Sequence, residues 1–185
     1  MPKIAVIAGS VRPGRVTRAV AEWVTESAAG RPNAEYELVD LADHPLPAYD
    51  EATPPQLKQY QGSHTVQWAA KIAEFDGFVF VTPEYNHSIP AALKNALDFI
   101  YGEWNNKAAA FVSFGGTGGV RAVEHLRQIA SELQLATVQA QLALPIGVDF
   151  PEYPAFSPTS TRKDELVRVL DQLESWSAAL ASVRG

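Results

Sequence analysis

Residues 77–98 read GFVFVTPEYNHSIPAALKNALD. Gly77–Thr82 gathers β-branched and aromatic side chains and is the strongest strand signal in the chain. Pro83–Ser88 then mixes proline, charge and amide and reads as a loop. Pro90 falls in the first turn of a helix, where the N–H it lacks would have no intrahelical partner. Leu93, Ala96, Leu97 and Ile100 follow at helical spacing, so that helix is expected to run to about Tyr101.

The same order recurs on both sides. Upstream, Lys3–Ala8 (KIAVIA) is a short apolar run suited to a strand buried on both faces of a parallel sheet. Gly9–Arg15 (GSVRPGR) is a turn by composition, and Val16–Ala28 carries a helical stripe of Val16, Ala19, Val20, Trp23 and Val24. Tyr36–Leu41 is a second, more polar strand, expected nearer an edge. Ala42–Gly62 is rich in proline; a loop this long in a compact domain is expected to be a lid or an interface segment. His64–Phe75 is a helix. Downstream, Lys107–Phe114 is a fourth strand, Gly115–Gly119 a glycine loop and Val120–Leu133 a helix. Thr137–Leu144 is a fifth strand, Pro145–Thr161 is irregular, and a last helix runs from about Arg162 to Val183.

Five strand–helix alternations call for one α/β domain over residues 1–185: a parallel sheet between two helical layers. Right-handed crossovers and five strands favour the order 2-1-3-4-5 of flavodoxin-like three-layer sandwiches, in which ligands sit at the carboxyl ends of the strands. Bulk composition narrows the chemistry. The chain contains no cysteine, so disulfides, thiolate metal sites and cysteine nucleophiles are excluded and redox chemistry requires a bound cofactor. A net charge of −6 argues against nonspecific binding to nucleic acid. No apolar run reaches the roughly 20 residues that span a bilayer, and no signal-peptide anatomy precedes Lys3, so a cytoplasmic protein is expected. The four histidines show no metal spacing, and Asp40 and Asp43 are read as capping or solvated loop acids rather than magnesium ligands.

In this topology the loops after strands one, three and four meet at one edge. The first is small, polar and cationic. Ser10 and Thr17 offer hydroxyls, Arg12 and Arg15 offer forked donors, and the backbone around Val16 opens a helix N-terminus; together they suit a phosphate. It matches neither G-x-x-x-x-G-K-[ST] nor G-x-G-x-x-G, and a plain turn with solvated arginines is the alternative. The second loop pairs the aromatic face of Tyr85 with the donor and acceptor of Asn86, beside Pro83 and Glu84, as a planar heterocycle requires; Tyr85 as an ordinary core or interface aromatic is the alternative. His87 reads as structural or exposed. The third loop, Gly115-Gly116-Thr117-Gly118-Gly119, lets backbone approach a flat ligand, or is simply a flexible connection.

With these residues in view, the chain resembles the NAD(P)H-dependent FMN reductase family. The match rests on Gly9-Ser10-Val11-Arg12, on the long stretch Pro83–Asp98 and on Ser113-Phe114-Gly115-Gly116 with Gly118-Gly119, over roughly Lys3 to Leu144. The resemblance implies FMN and NADPH (or NADH) as cofactors. Ser10, Arg12 and nearby loop atoms would hold the phosphate; Pro83, Glu84, Tyr85 and Asn86 would line the ribityl chain and ring; Ser113, Gly115 and Gly116 would border the ring from the other side. It also implies a homodimer or homotetramer, with the Asn95–Tyr101 end of the third helix and Trp104 facing a partner. Arg15 and Thr17 depart from the serine and asparagine of many members, so their individual roles stay open. The implied chemistry is hydride transfer from NAD(P)H to FMN and on to a small-molecule acceptor, with no catalytic side chain and no metal. A quinone, azo-dye or metal-ion reductase with tightly held FMN is one alternative. An FMN-binding electron carrier that does not oxidise NAD(P)H is another.

Overall fold

The structure, a computed structural model, describes residues 1–184. Five strands, β1 (Lys3–Ala8), β2 (Glu35–Asp40), β3 (Gly77–Pro83), β4 (Lys107–Gly115) and β5 (Leu135–Pro145), form one sheet in the order β2-β1-β3-β4-β5, and every pairing is parallel. The crossovers carry α1 (Thr17–Ala28), α2 (Ser63–Ala73), α3 (Ala91–Asp98) and α4 (Val120–Glu132); the single turn α5 (Ile146–Asp149) and the long α6 (Ser160–Leu180) follow β5. The expected order is the observed one.

Successive strand residues point to opposite faces, and both faces are apolar because helices cover both. Ala5, Ile7, Phe78, Phe80 and Phe111 pack with Trp68, Leu97 and Leu126 on one side. Ile4, Val6, Val79, Val81 and Val112 pack with Val20, Val24, Leu166 and Leu170 on the other. All of β3 and β4 is buried, whereas β2 is partly exposed, as its polar reading required. Ala8 pairs with Val81, and Val81 with Val112, so β1, β3 and β4 end level and their loops emerge side by side.

The structure corrects several boundaries. Helix α3 stops at Asp98, with Pro90 as its N-cap. Phe99, Ile100 and Trp104 continue past it into the core and are fully buried. Trp104 donates Nε1–H to the Leu97 carbonyl at 3.3 Å, and its ring lies 4.9 Å from Phe78. Trp104 therefore cannot face a partner: its apolar ring is taken up within its own chain. Asn95 is engaged too, donating to the Pro47 carbonyl at 2.6 Å and accepting from Tyr49 N–H at 3.1 Å. This clamps the proline-rich segment after β2 against α3. β5 begins at Leu135, and its register against β4 jumps between Ala109 and Phe111. The backbone freed there is satisfied by side chains: Arg127 donates to the Val138 and Gln139 carbonyls, and Gln172 accepts from Ala140 N–H. None of the described helices is long and apolar enough to cross a membrane.

Candidate functional site

The level strand ends bring the three loops around a slot of about 200 Å³. The first loop contributes Arg12, Arg15, Val16 and Thr17; the second Pro83, Glu84 and Tyr85; the third Gly115.

The first loop carries the polar floor. Ser10 is buried one layer behind it, and its hydroxyl shares a 2.8 Å hydrogen bond with Tyr85 Oη, joining the first loop to the second. Arg12 is exposed; its Nη2 donates to Tyr153 Oη at 3.2 Å, and its guanidinium lies 5.9 Å from the Tyr85 ring centre. Arg15 is half committed elsewhere, donating Nη2–H to Asp40 Oδ2 at 2.7 Å; Arg18 reaches the same oxygen at 3.2 Å. Asp40 also accepts from Ala42 N–H, so it caps a turn and anchors arginines, as a structural acid should. Two buried groups at this spot have no partner among the described residues: Thr17 Oγ1 and Arg15 Nε. Helix α1 begins there with no side-chain cap and no acid in its first turn. A buried polar group left unpaired costs about 1–3 kcal/mol. Two of them beside an uncapped helix N-terminus form a set of unfilled donors, the complement of an anion.

The second loop is a tight turn. Tyr85 and Ser88 exchange both backbone hydrogen bonds, at 2.9 and 3.1 Å, and the two residues between them, Asn86 and His87, have φ of 48° and 75°. That conformation holds Tyr85 at the slot and puts Asn86 and His87 at an exposed tip. Asn86 therefore does not line the slot. Glu84 turns its carboxylate away toward α4, where Arg121 Nε donates at 2.7 Å and Arg121 N–H at 3.2 Å. Burial pushes this carboxyl up, but the bonds and charge of Arg121 outweigh it and hold the group below its ordinary value. Glu84 thus contributes an ionised anchor for the third loop and its backbone to the slot wall.

Near the end of β4, Ser113 is buried and donates to the Gly118 carbonyl at 2.7 Å, so its hydroxyl shapes the third loop from inside. Gly119 has φ of 74°, and a Cβ there would stand 2.8 Å from Phe114 N; only glycine fits. Gly115 lies at the slot, whereas Gly116 is exposed beyond it.

Sequence reading missed three lining residues, Phe114, Ile146 and Tyr153. Phe150 and Phe156 pack 5.0 Å apart, and Phe156 meets Trp23 at 5.5 Å, which pins the irregular segment to the α1 face. Tyr153, between these anchors, lines the slot and accepts a hydrogen bond from Arg12. The signal was an aromatic residue at every third position, Phe150, Tyr153 and Phe156, in a stretch otherwise read as irregular.

A family model described as NADPH-dependent FMN reductase matches residues 2–149. The chain belongs to this family. An NAD(P)H-dependent FMN reductase of Schizosaccharomyces pombe is 45% identical over 80% of this chain and 75% of its own length. An NAD(P)H:quinone oxidoreductase of Solanum tuberosum is 38% identical over 72% of this chain and 69% of its own. Among solved structures, the flavoenzyme FerB of Paracoccus denitrificans, an NAD(P)H:(acceptor) oxidoreductase, superposes with a TM-score of 0.71 at 25% identity, covering 97% of this chain and 98% of that one.

Proposed function

We propose that the slot holds FMN, and that the protein uses it to pass reducing equivalents from NAD(P)H to a flavin or quinone acceptor. The observation that carries this reading is the pair of unfilled buried donors, Thr17 Oγ1 and Arg15 Nε, beside the open N-terminus of α1. A phosphate supplies the missing acceptors. Thr17 donates its hydroxyl, Arg12 supplies the charge that Asp40 does not cancel, and Ser10 holds Tyr85 in place from behind. Pro83, Tyr85 and Gly115 give one stiff wall, one aromatic wall and one bare backbone edge, which suits a planar ring. FMN held there would supply the redox chemistry. The side chains bind and orient it, and none is assigned a proton or a covalent step.

The reading includes a cytoplasmic site of action and a homodimer or homotetramer, which fractionation and light scattering test. The central experiment is an absorption spectrum of the purified protein, alone, with added FMN and then with NADPH without oxygen. Flavin bands that bleach on NADPH are expected. A protein that neither carries nor binds FMN overturns the reading, and bound flavin that NADPH leaves coloured supports an electron carrier instead. Tight retention of the flavin through turnover favours a quinone reductase over a supplier of reduced flavin. The contact from Arg12 to Tyr153 across the slot mouth supports such retention.

A further inference from the structure

A second polar cavity, of about 530 Å³, opens at the other end of the sheet. β4 runs from Lys107 to Gly115, so at about 3.3 Å per residue the cavity and the slot lie roughly 26 Å apart.

Lys107 is 7% exposed, and its ammonium makes one hydrogen bond among the described residues, to the Ile72 carbonyl at 3.0 Å. An ammonium has three donors, so two are without a hydrogen-bond acceptor among the described residues, and the ammonium lies 5.6 Å from the Phe78 ring centre. The charged groups around it are Arg184, Asp76, Glu103 and Lys58. Asp76 is engaged, accepting from Arg184 at 2.6 Å and from Lys3 N–H at 2.8 Å; Glu103 accepts from Tyr60 at 2.8 Å through Oε2, and its Oε1 has no hydrogen bond among the described residues. Lys58 stands 3.9 Å from Glu103, too far for a hydrogen bond. Its backbone is left-handed, with φ of 52°. A Cβ on Gly102 would lie 2.1 Å from Lys58 Cε, so the glycine is what lets the end of this exposed side chain lie across the Gly102 backbone at the rim of the cavity. Burial, with Arg184 and Lys58 adding to it, outweighs Asp76 and Glu103 and pushes the Lys107 amine down to about 8.

We propose that this cavity binds a phosphate-class oxyanion between Lys107 and Lys58. Several oxygens on one centre can accept from both ammonium groups, which a monatomic anion cannot do, and the volume leaves room for a small organic body on the phosphate. The proposal does not depend on the flavin reading.

The test is calorimetric titration with inorganic phosphate at pH 7, with sodium chloride holding ionic strength constant, on the protein with FMN added to fill the slot. One saturable site is expected. Lys107→Met, Lys58→Gln and Gly102→Ala should each weaken it at least tenfold. The last displaces Lys58 without changing charge, and the last two avoid the buried lysine, so folding is not at issue. The same titration without FMN should retain only slot binding in Lys107→Met, so failure at either site is seen separately. Absence of saturable binding with FMN present, heat matched by chloride alone, or wild-type affinity in both Lys58→Gln and Gly102→Ala overturns the proposal.

Discussion

Two polar clusters lie against the same helical layer and are finished differently. At the outer edge of β2, Glu174 of α6 is almost fully buried, and every strong group there is met: Arg31 donates to it by two nitrogens, Tyr36 Oη donates at 2.7 Å, and Arg31 also pairs with Asp171. At the head of α1, Thr17 and Arg15 are equally enclosed, yet one donor of each is left empty. Composition does not separate them, since both combine arginine, a hydroxyl and a carboxylate. Satisfaction does. A closed cluster supports folding, whereas an open one is retained at a cost and, beside an uncapped helix N-terminus, has the donors an anion would use.

The largest effect should come from breaking the closed cluster. Glu174→Ala leaves the partly buried Arg31 with only Asp171 and should destabilise the protein by about 3 kcal/mol, the low end for breaking a buried pair, in denaturant unfolding. FMN affinity should stay unchanged in the fraction that remains folded. The same cluster fixes a pH dependence. Burial pushes the Glu174 carboxyl up, but hydrogen bonds from Arg31 and Tyr36 and the Arg31 charge more than offset it, so the folded value lies below the ordinary 4.5. Its contribution is therefore present above pH 4.5 and lost as pH falls through the lower folded value, and an acid titration of Glu174→Gln should lack that part of the loss.

Next in size is the open cluster. Thr17→Val keeps shape and removes the unfilled hydroxyl. A hydrogen bond to a charged group contributes about 1.5–3 kcal/mol, so FMN affinity, read by flavin fluorescence quenching, should fall between roughly 10- and 150-fold. The flavin-free protein should be no less stable than wild type. A destabilised flavin-free Thr17→Val would erase the contrast between the clusters. The smallest effect concerns the mouth. Tyr153→Ala removes an exposed contact to Arg12 and should speed FMN release by a few-fold in stopped-flow displacement while leaving stability within about 0.5 kcal/mol.

How far these clusters could be read in advance varied by residue. Arg12, Thr17, Tyr85 and Gly115 were legible as slot residues because each lies just past a strand end, and the strand order brings those ends together. Asn86 and Ser113 sit in the same loops but point elsewhere, for reasons of backbone angle and an internal hydrogen bond that no spacing rule encodes. Trp104 looked like a surface aromatic beyond a helix end and proved to be core, because α3 ends early and the chain folds back over Phe78. Tyr153 was out of sight for the opposite reason: a residue in an irregular stretch gains a place only through what its neighbours, Phe150 and Phe156, pack against.

The sequence by itself determined the alternation of strand and helix, the parallel sheet and its order, and the loops that meet at the strand ends. Those follow from local hydrophobic period and from the handedness of crossovers, which act over a few residues at a time. Only the tertiary structure decided which polar groups at that edge are satisfied and which are left open. Asp40 closes half of Arg15, and among the described residues nothing closes Thr17 and Lys107 keeps spare donors at the far end. Those outcomes depend on partners distant in the chain and on ångström-scale distances, and it is they that distinguish a binding site from a scaffold.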